Sequence, residues 1–285
     1  MLPLPLDLPC AENYDNANIL QREIAARMAD RLEYLKLAPE VILDLGARTG
    51  FGTRLLRQRF PAALLVPIDF TPGILHHGFP AAAKWKRLIG LGDSPFACAS
   101  AEFTRLPLGD ASVDMLWSNL ALHYHDPDAV CKEARRVLKP GGLIMFSLFG
   151  PDTLKELRAV CGSDGAGMKR LIDMHDVGDV LSHNGFTAPV MDMETLMLTY
   201  SDTADLLQDL RNTGEQNLLP EMLRDGVSHD RIASVSQPYE AFRADGKLPA
   251  TYEIIYGHAW NSEGNRILPD GSQIIEFRKY KSAAP

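Results

Sequence analysis

Two acidic residues and two glycines near the start of the chain have the types and spacing of a nucleotide-binding site. The stretch "LDLGARTGFG" (43–52) has the pattern of a buried strand that runs into a glycine-rich turn. Gly46 and Gly50 can take positive φ and let the backbone approach a ligand closely. Asp69 follows Asp44 by 25 residues, a spacing at which an acid commonly accepts hydrogen bonds from ribose hydroxyls. These residues predict a ligand that contains a ribose.

Glu102 is a further acidic residue, and it follows the next strand-like run. It lies in "SAEFTRLPL", where its carboxylate can accept a hydrogen bond from an adenine amino group. Taken alone, Asp69 and Glu102 are each typical of a solvated surface. Their order at successive strand ends favours an adenosine-containing ligand.

The glycine spacing G-x-x-x-G-x-G, with Gly52 as its last member, resembles that of the short-chain dehydrogenases, which bind NAD(P). Those enzymes use a tyrosine and a lysine four residues later, one helical turn apart. No tyrosine in this chain has a lysine at that offset. The sequence therefore disfavours a dehydrogenase.

The elements that would position these residues alternate between strand-like and helix-like patterns. The strand-like runs are "VILDL" (41–45), "LLVPID" (64–69), "FACAS" (96–100), "VDMLWS" (113–118) and "LIMFSLF" (143–149). One intervening helix is predicted to begin with Asp126 as its N-cap and Pro127 at its first position. This βαβαβ order predicts an α/β fold with a doubly wound, mostly parallel sheet.

We interpret the chain as a single domain with four parts. They are an N-terminal helix within 1–40, a Rossmann-like core at 41–200, a helical insertion at 201–246 and C-terminal strands at 250–285. The insertion is largely helical and polar, and we expect it to cover one edge of the sheet as a lid.

Composition and charge narrow the class of protein. A formal charge of −8 and a pI near 5.5 argue against a general nucleic-acid binder, which needs a basic face. No apolar run approaches the roughly 20 residues that span a bilayer, and "MLPLPLDLPC" lacks the features of a signal peptide. The four cysteines have no C-x-x-C spacing, which is typical of a reducing compartment. We expect a cytoplasmic protein with neither a nucleic-acid nor a membrane partner.

Several motifs resemble those of known enzymes. "ILDLGARTG", "ID" at 68–69, "AEFTRLPL" and "RRVLKPGG" resemble the class I, seven-stranded S-adenosylmethionine (SAM)-dependent methyltransferases. "SNLALHYHDP", "FSLFGPDTLKELR", "DMHDVGDVL" and "LPATYEIIYGHAW" resemble, more narrowly, the malonyl-carrier-protein O-methyltransferases that begin pimelate synthesis for biotin. The resemblance covers about residues 14–260. It implies SAM as cofactor and a malonyl thioester of acyl carrier protein as substrate.

The resemblance assigns residues to each part of the cofactor. It places Asp44, Gly46 and Gly50 in the turn that binds SAM. It assigns Asp69 to the ribose, and Glu102 and Phe103 to the adenine. It assigns Asn119 and Leu120 to the methionine part and the methyl group, and Tyr14 and Gln21 to closure over the cofactor.

Arg48 departs from the family pattern, which usually has glycine at this position. The departure has three interpretations. The side chain is tolerated because Gly46 and Gly50 are the sterically demanding positions, or it pairs with the carboxylate of the cofactor, or the site has decayed.

The implied reaction needs a carboxylate clamp rather than a general base, because a malonyl carboxylate is already ionised at pH 7. Arginine's planar fork suits that task, and Arg158 in "PDTLKELRAVC" borders the apolar face of a predicted helix. That helix would begin with a capping box of Thr153 and Glu156. The alternative is an arginine whose stem only covers apolar surface.

Three further residues are candidates for the substrate pocket. Tyr252, Tyr256 and His258 alternate along one predicted strand and share a face, although core packing is equally consistent with them. We expect no metal site, since the "HYH" motif at 123–125 has no third ligand nearby. "KWKR" (84–87) is a candidate contact for an acidic carrier protein.

Two alternative functions remain open at this point. The assembly factors of respiratory complex I share the "DTL-x-ELR" and "PATY" patterns, and at least one of them is thought to hydroxylate arginine. The other alternative is a catalytically silent protein that binds the carrier protein.

Overall fold

A seven-stranded sheet forms the centre of the molecule. The computed structural model describes residues 10–79, 97–161, 168, 171–220, 223 and 229–262. The strands are β1 (Val41–Leu45), β2 (Leu64–Asp69), β3 (Ala99–Ser100), β4 (Val113–Asn119), β5 (Leu138–Phe149), β6 (Phe186–Tyr200) and β7 (Leu248–Asn261). Their spatial order is β3-β2-β1-β4-β5-β7-β6. The predicted α/β fold with a seven-stranded, doubly wound sheet is confirmed.

Helices cover both faces of this sheet. In the described part of the chain they are α1 (Ala11–Ala17), α2 (Ile19–Arg31), α3 (Phe51–Arg59), α4 (Pro72–Gly78), α5 (Pro127–Val137), α6 (Lys155–Val160), α7 (Met174–His183), α8 (Thr203–Asn212) and α9 (His229–Tyr239). No helix in these described ranges is long and apolar enough to cross a membrane.

Strand direction explains where a ligand can bind. β1 pairs in parallel with β2 on one side and with β4 on the other, so the order of the strands reverses at β1. β7 runs antiparallel between β5 and β6. In such sheets ligands bind in the crevice at the carboxyl ends of the strands, where the order reverses. The crevice beyond β1 and β4 is thus the expected site.

Two apolar cores lie on opposite faces of the sheet. One joins α2, α3 and the helices that follow residue 201; its buried members include Ile24, Trp117 and Leu207. The other lies under α5 and α7 and includes Phe103 and Val137. The helices after residue 201 share their core with α2, so the N-terminal and inserted segments cover the same face.

The predicted helix start at Asp126 is confirmed, because its side chain accepts a hydrogen bond from the N–H of Asp128 at 3.3 Å. The predicted capping box before α6 is wrong. Thr153 donates instead to the carbonyl of Glu253 at 3.1 Å, and Glu156 accepts hydrogen bonds from the backbone and side chain of Thr251. Packing against β7 supplied better partners than the helix's own N-terminus.

Two strands differ in length from their sequence patterns. β3 has only two residues, fewer than the run "FACAS" suggests. β5 begins at Leu138, directly after α5, and therefore includes "KPGG" (139–142) ahead of the predicted run 143–149.

Candidate cofactor site and active site

The glycine turn after β1 depends on glycine at two positions. Gly46 and Gly50 have φ of 85° and 83°, a region that side chains rarely adopt. A Cβ at Gly46 would lie 2.2 Å from Cβ of Ala121, and one at Gly50 would lie 2.5 Å from the ring of Phe79. The steric demand at both positions therefore comes from the protein's own packing, not only from the approach of a ligand.

Two buried carboxylates flank this turn. Asp69 is fully buried, and its two oxygens accept hydrogen bonds from the N–H groups of Arg48 (3.0 Å) and Thr71 (2.8 Å). Asp44 accepts a hydrogen bond from the hydroxyl of Thr53. Burial raises the pKa of Asp44 to about 7, the nearby Asp69 adds to the rise, and the Thr53 bond opposes it. A positively charged group beside Asp44 would lower this pKa again.

The N-terminal helices close over the turn. Thr49 in the turn donates to the carboxylate of Asp15 in α1 at 2.5 Å. The side-chain amide of Asn119, at the end of β4, donates to the carbonyl of Gln21 in α2 at 2.9 Å. Tyr14 and Gln21 are both buried, so α1 and α2 lie directly on the carboxyl ends of β1 and β4.

A small cavity of about 30 Å³ lies between these helices and the turn. It is lined by Tyr14, Asn18, Gln21, Arg22, Ala25, Asp44, Gly46, Ala47, Arg48, Thr49, Phe51, Gly52, Trp117 and Asn119. Five of the lining residues have a buried polar atom without a hydrogen-bond partner: Oδ1 of Asn18, Oε1 of Gln21, Nε of Arg22, Nη1 of Arg48 and Nε1 of Trp117. Each unpaired buried group costs about 1–3 kcal/mol. Their convergence makes this cavity the candidate site for a polar ligand.

Arg48 has an unusual place within this group. Its φ is 50°, in the left-handed region, and its guanidinium lies 5.3 Å from the ring centre of Phe70 and 5.8 Å from that of Tyr14. Burial by itself lowers the pKa of Arg48, but the nearby Asp69 and Tyr124 outweigh it and raise the pKa above its usual range. The side chain therefore stays charged although it is only 7% exposed.

The loop after β4 is tied to the inserted segment. The hydroxyl of Tyr124 donates to the buried carboxylate of Glu215, and Nε2 of the buried His123 lies 3.5 Å from the same carboxylate. Behind the loop, Ser147 donates to Oδ1 of Asn119 at 2.8 Å and accepts from the N–H of Leu120 at 3.0 Å. The loop is held from both sides.

Comparisons with known proteins agree with this geometry. A family described as a methyltransferase domain matches residues 43–146. A malonyl-[acyl-carrier protein] O-methyltransferase of Methylovorus sp. is 43% identical over 96% of this chain and 93% of its own length. That of Gallionella capsiferriformans is 45% identical over 93% of this chain and 92% of its own length. The chain belongs to the malonyl-[acyl-carrier protein] O-methyltransferase family.

Solved structures support the fold of this methyltransferase independently. The YcgJ protein of Bacillus subtilis superposes with a TM-score of 0.58 at 15% identity, over 85% of this chain and 99% of its own. At that identity the likeness concerns the fold alone.

SAM is the cofactor of this methyltransferase, and the cavity fits its amino-acid end. Oδ1 of Asn18, Oε1 of Gln21 and the carboxylate of Asp44 are acceptors, which suit an ammonium group. Nε1 of Trp117 and Nη1 of Arg48 are donors, which suit a carboxylate. The cavity of about 30 Å³ is much smaller than the roughly 300 Å³ of a ligand pocket, so it has room for only part of the cofactor.

The structure brings some of the predicted cofactor residues together at the cavity. Those that line it are Tyr14, Gln21, Asp44, Gly46 and Asn119. Asp69 lies behind Arg48, and the buried Phe103 packs near Gly46 and against His125, whose ring centre is 4.5 Å away. Glu102 is exposed.

The predicted substrate residues lie apart from this cavity, and none of Arg158, Tyr252, Tyr256 and His258 is among its described lining residues. Arg158 is partly exposed on α6, and its guanidinium has no partner among the described residues. Tyr256 donates to Glu194, and the guanidinium of Arg31 lies 3.8 Å from its ring centre.

The two other predicted residues share the β7 face of Tyr256. Tyr252 is buried beside Phe149, with 5.9 Å between ring centres, and His258 is half-buried.

Sequence reasoning missed four residues of the site. They are Asn18, Trp117, Tyr124 and Glu215. Asn18 lies between α1 and α2, and Trp117 lies inside an apolar strand run, so the local sequence around each does not indicate a ligand contact. The pairing of Tyr124 with Glu215 joins positions 91 residues apart. No local pattern encodes such a contact.

Proposed function

We propose that this methyltransferase transfers the methyl group of SAM to the free carboxylate of a malonyl thioester carried by an acyl carrier protein. The names of the curated relatives support this substrate. The observation that carries the proposal is the convergence of unpartnered polar atoms on one cavity at the carboxyl ends of β1 and β4. That cavity matches the amino-acid end of the methyl donor.

Different residues of the chain bind the ammonium group, the ribose and the adenine of the cofactor. Asp44, Gln21 and Asn18 accept hydrogen bonds from the ammonium group. Asp69 has further lone pairs for the ribose hydroxyls beyond the backbone bonds it already accepts. Phe103 offers an apolar face and Glu102 a carboxylate for the adenine.

Bound SAM supplies an electrophilic methyl group on a sulfonium centre. The substrate carboxylate is ionised at neutral pH, so no residue has to remove a proton. The work of the protein is alignment, which converts a bimolecular step into a unimolecular one. Asn119, fixed by Ser147 and by the carbonyl of Gln21, and Leu120 next to it form the wall against which methyl donor and acceptor align.

The inserted segment at 201–246 excludes water from that step. Leu206, Leu207 and Leu210 of α8 are buried in the same core as α2. Glu215 fastens the segment to the loop after β4 through Tyr124 and His123. This segment is the lid, and together with α1 and α2 it closes the site.

Recognition of the substrate carboxylate is assigned to Arg158, because its guanidinium has no partner among the described residues. Tyr252, Tyr256 and His258 are the second candidates. The carrier-protein contact at "KWKR" (84–87) lies outside the described residues and stays a prediction, as does the cytoplasmic location.

One assay tests the proposed function. The purified protein is incubated with SAM and malonyl-acyl carrier protein, and the expected result is a mass gain of one methyl group on the carrier protein. Succinyl-acyl carrier protein and malonyl-coenzyme A are the matched substrates for chain length and carrier. A protein that binds S-adenosylhomocysteine but leaves the malonyl thioester unmodified would contradict the proposal.

A further inference from the structure

Arg48 is the only buried lysine or arginine among the residues that the structure describes. Its guanidinium forms neither a hydrogen bond nor an ion pair with any described residue, and Nη1 is buried without a partner. The aromatic rings of Tyr14 and Phe70 are its neighbours instead. A buried charge without a counter-ion is costly unless a partner arrives.

The carboxylates near Arg48 are engaged by other groups. Asp69 accepts the backbone N–H groups of Arg48 and Thr71. Glu215 accepts the hydroxyl of Tyr124 and faces His123. Both acids act on Arg48 through space, but neither pairs with its guanidinium. Arg48 lines the cavity, and Nη1 of its guanidinium has no hydrogen-bond partner there.

The composition of the cavity selects the kind of anion. Asp44 and the amide oxygens of Asn18 and Gln21 would repel a phosphate, whereas they suit an ammonium group beside a carboxylate. Nε of Arg22 and Nε1 of Trp117 are further donors at the same cavity that have no hydrogen-bond partner. A planar carboxylate matches the fork of a guanidinium.

We propose that Arg48 binds a ligand carboxylate, so that the residue standing in place of the family's glycine is a binding group. Two ligands bring a carboxylate to this site: the amino-acid end of the cofactor and, resting on the proposed function, the acyl group of the substrate. A glycine here could serve neither. Arg48 thus adds a charged contact that the usual turn lacks.

The experiment compares Arg48→Met with wild type. Methionine keeps much of the length of the side chain and the left-handed backbone but removes the charge. The dissociation constants of S-adenosylhomocysteine, which has the carboxylate, and of 5′-methylthioadenosine, which lacks it, are measured by calorimetry. Lys36→Met, at an exposed cation that precedes β1 at the other end of the sheet, is the matched control.

If the cofactor supplies the carboxylate, Arg48→Met raises the dissociation constant of S-adenosylhomocysteine by about 10- to 100-fold, the range for hydrogen bonds to charged groups. The constant for 5′-methylthioadenosine then stays within about threefold of wild type. If the substrate supplies it, binding of S-adenosylhomocysteine is unchanged. The KM for the malonyl thioester rises by a similar factor, and Arg48 replaces Arg158 as the clamp.

Unchanged constants for both cofactor analogues together with an unchanged KM would overturn the proposal, and so would tighter binding by Arg48→Met. Should Arg48→Met fail to fold, Arg48→Lys is the second variant, because lysine keeps the charge but lacks the planar fork. We expect it to raise the same dissociation constant or KM by a smaller factor. A wild-type protein that binds S-adenosylhomocysteine but does not methylate malonyl-acyl carrier protein refutes the proposed function alone. The cofactor measurements still decide the role of Arg48.

Discussion

The backbone N–H of Arg48 donates a hydrogen bond of 3.0 Å to the carboxylate of Asp69. This bond joins the glycine turn after β1 to the end of β2. The other oxygen of Asp69 accepts the N–H of Thr71. Asp69 therefore shapes the turn in addition to the role predicted for it at the ribose.

Replacing Asp69 by asparagine tests this double role. Asparagine has only one acceptor oxygen, so the N–H of Arg48 or that of Thr71 loses its partner, at a cost of about 1–3 kcal/mol where the group is buried. We expect both a lower melting temperature and weaker binding of S-adenosylhomocysteine, measured by thermal unfolding and calorimetry. A surface acid would leave both unchanged, as we expect for Asp179→Asn, because Asp179 is exposed and its carboxylate has no partner among the described residues.

The raised pKa of Asp44 predicts a pH dependence of binding. Since this pKa is about 7 in the folded protein and about 4 in an unfolded chain, ionising Asp44 costs stability as pH rises from about 4 to 7. An ammonium group binds the ionised form, so the affinity for S-adenosylhomocysteine should rise between about pH 6 and 8 and then level off.

Asp44→Asn is the control for that dependence. It should bind S-adenosylhomocysteine more weakly, and the pH-dependent part of the affinity should disappear. The same variant should resist thermal unfolding better than wild type at pH 8, because the uncompensated charge is gone. A wild-type affinity that is flat between pH 6 and 8 would contradict the role of Asp44.

Gly46→Ala tests the steric demand of the turn. The added Cβ would lie 2.2 Å from Cβ of Ala121, at a residue with φ of 85°. We expect a loss of about 1–3 kcal/mol in the free energy of unfolding together with weaker cofactor binding. Gly109→Ala, whose added Cβ would meet no atom within 4 Å, should be as stable as wild type. If both variants lost the same free energy of unfolding, the steric contact with Ala121 would not be the cause.

Tyr124→Phe tests the fastening of the lid. Without the hydroxyl, the buried Glu215 loses a hydrogen bond, and the inserted segment at 201–246 should be cleaved faster in limited proteolysis. Tyr256→Phe removes a similar bond to Glu194 on β6 and should leave cleavage of that segment unchanged. Equal cleavage rates in wild type and Tyr124→Phe would show that apolar packing alone holds the lid.

Arg158→Ala tests the proposed clamp. Arg158 is partly exposed. We therefore expect its replacement to reduce transition-state stabilisation by about 1.5–3 kcal/mol, the range for a hydrogen bond to a charged group. That corresponds to a fall in kcat/KM of about one to two decades, with little change in cofactor affinity and only partial rescue by Arg158→Lys. A near-complete rescue by lysine would indicate an arginine that only covers apolar surface.

The sequence by itself determined the fold class and most of the strand positions. Alternation of apolar runs with amphipathic runs is a local property, and Asp126 capped its helix as its type and position predicted. The position of the glycine turn was likewise predictable from the sequence, because Gly46 follows β1 directly and Asp44 and Asp69 lie at the carboxyl ends of β1 and β2.

Only the tertiary structure decided which groups meet around the cavity and which are left without a partner. Asn18 and Trp117 line the cavity because α2 and β4 converge there. Thr153 and Glu156 do not form their predicted cap because β7 offers them other hydrogen-bond partners. Sequence spacing also could not reveal that Arg48 is buried without a counter-ion, since that depends on what Asp69 and Glu215 already bind. Long-range hydrogen bonding and burial are properties of the assembled fold, and they set the charge balance of this site.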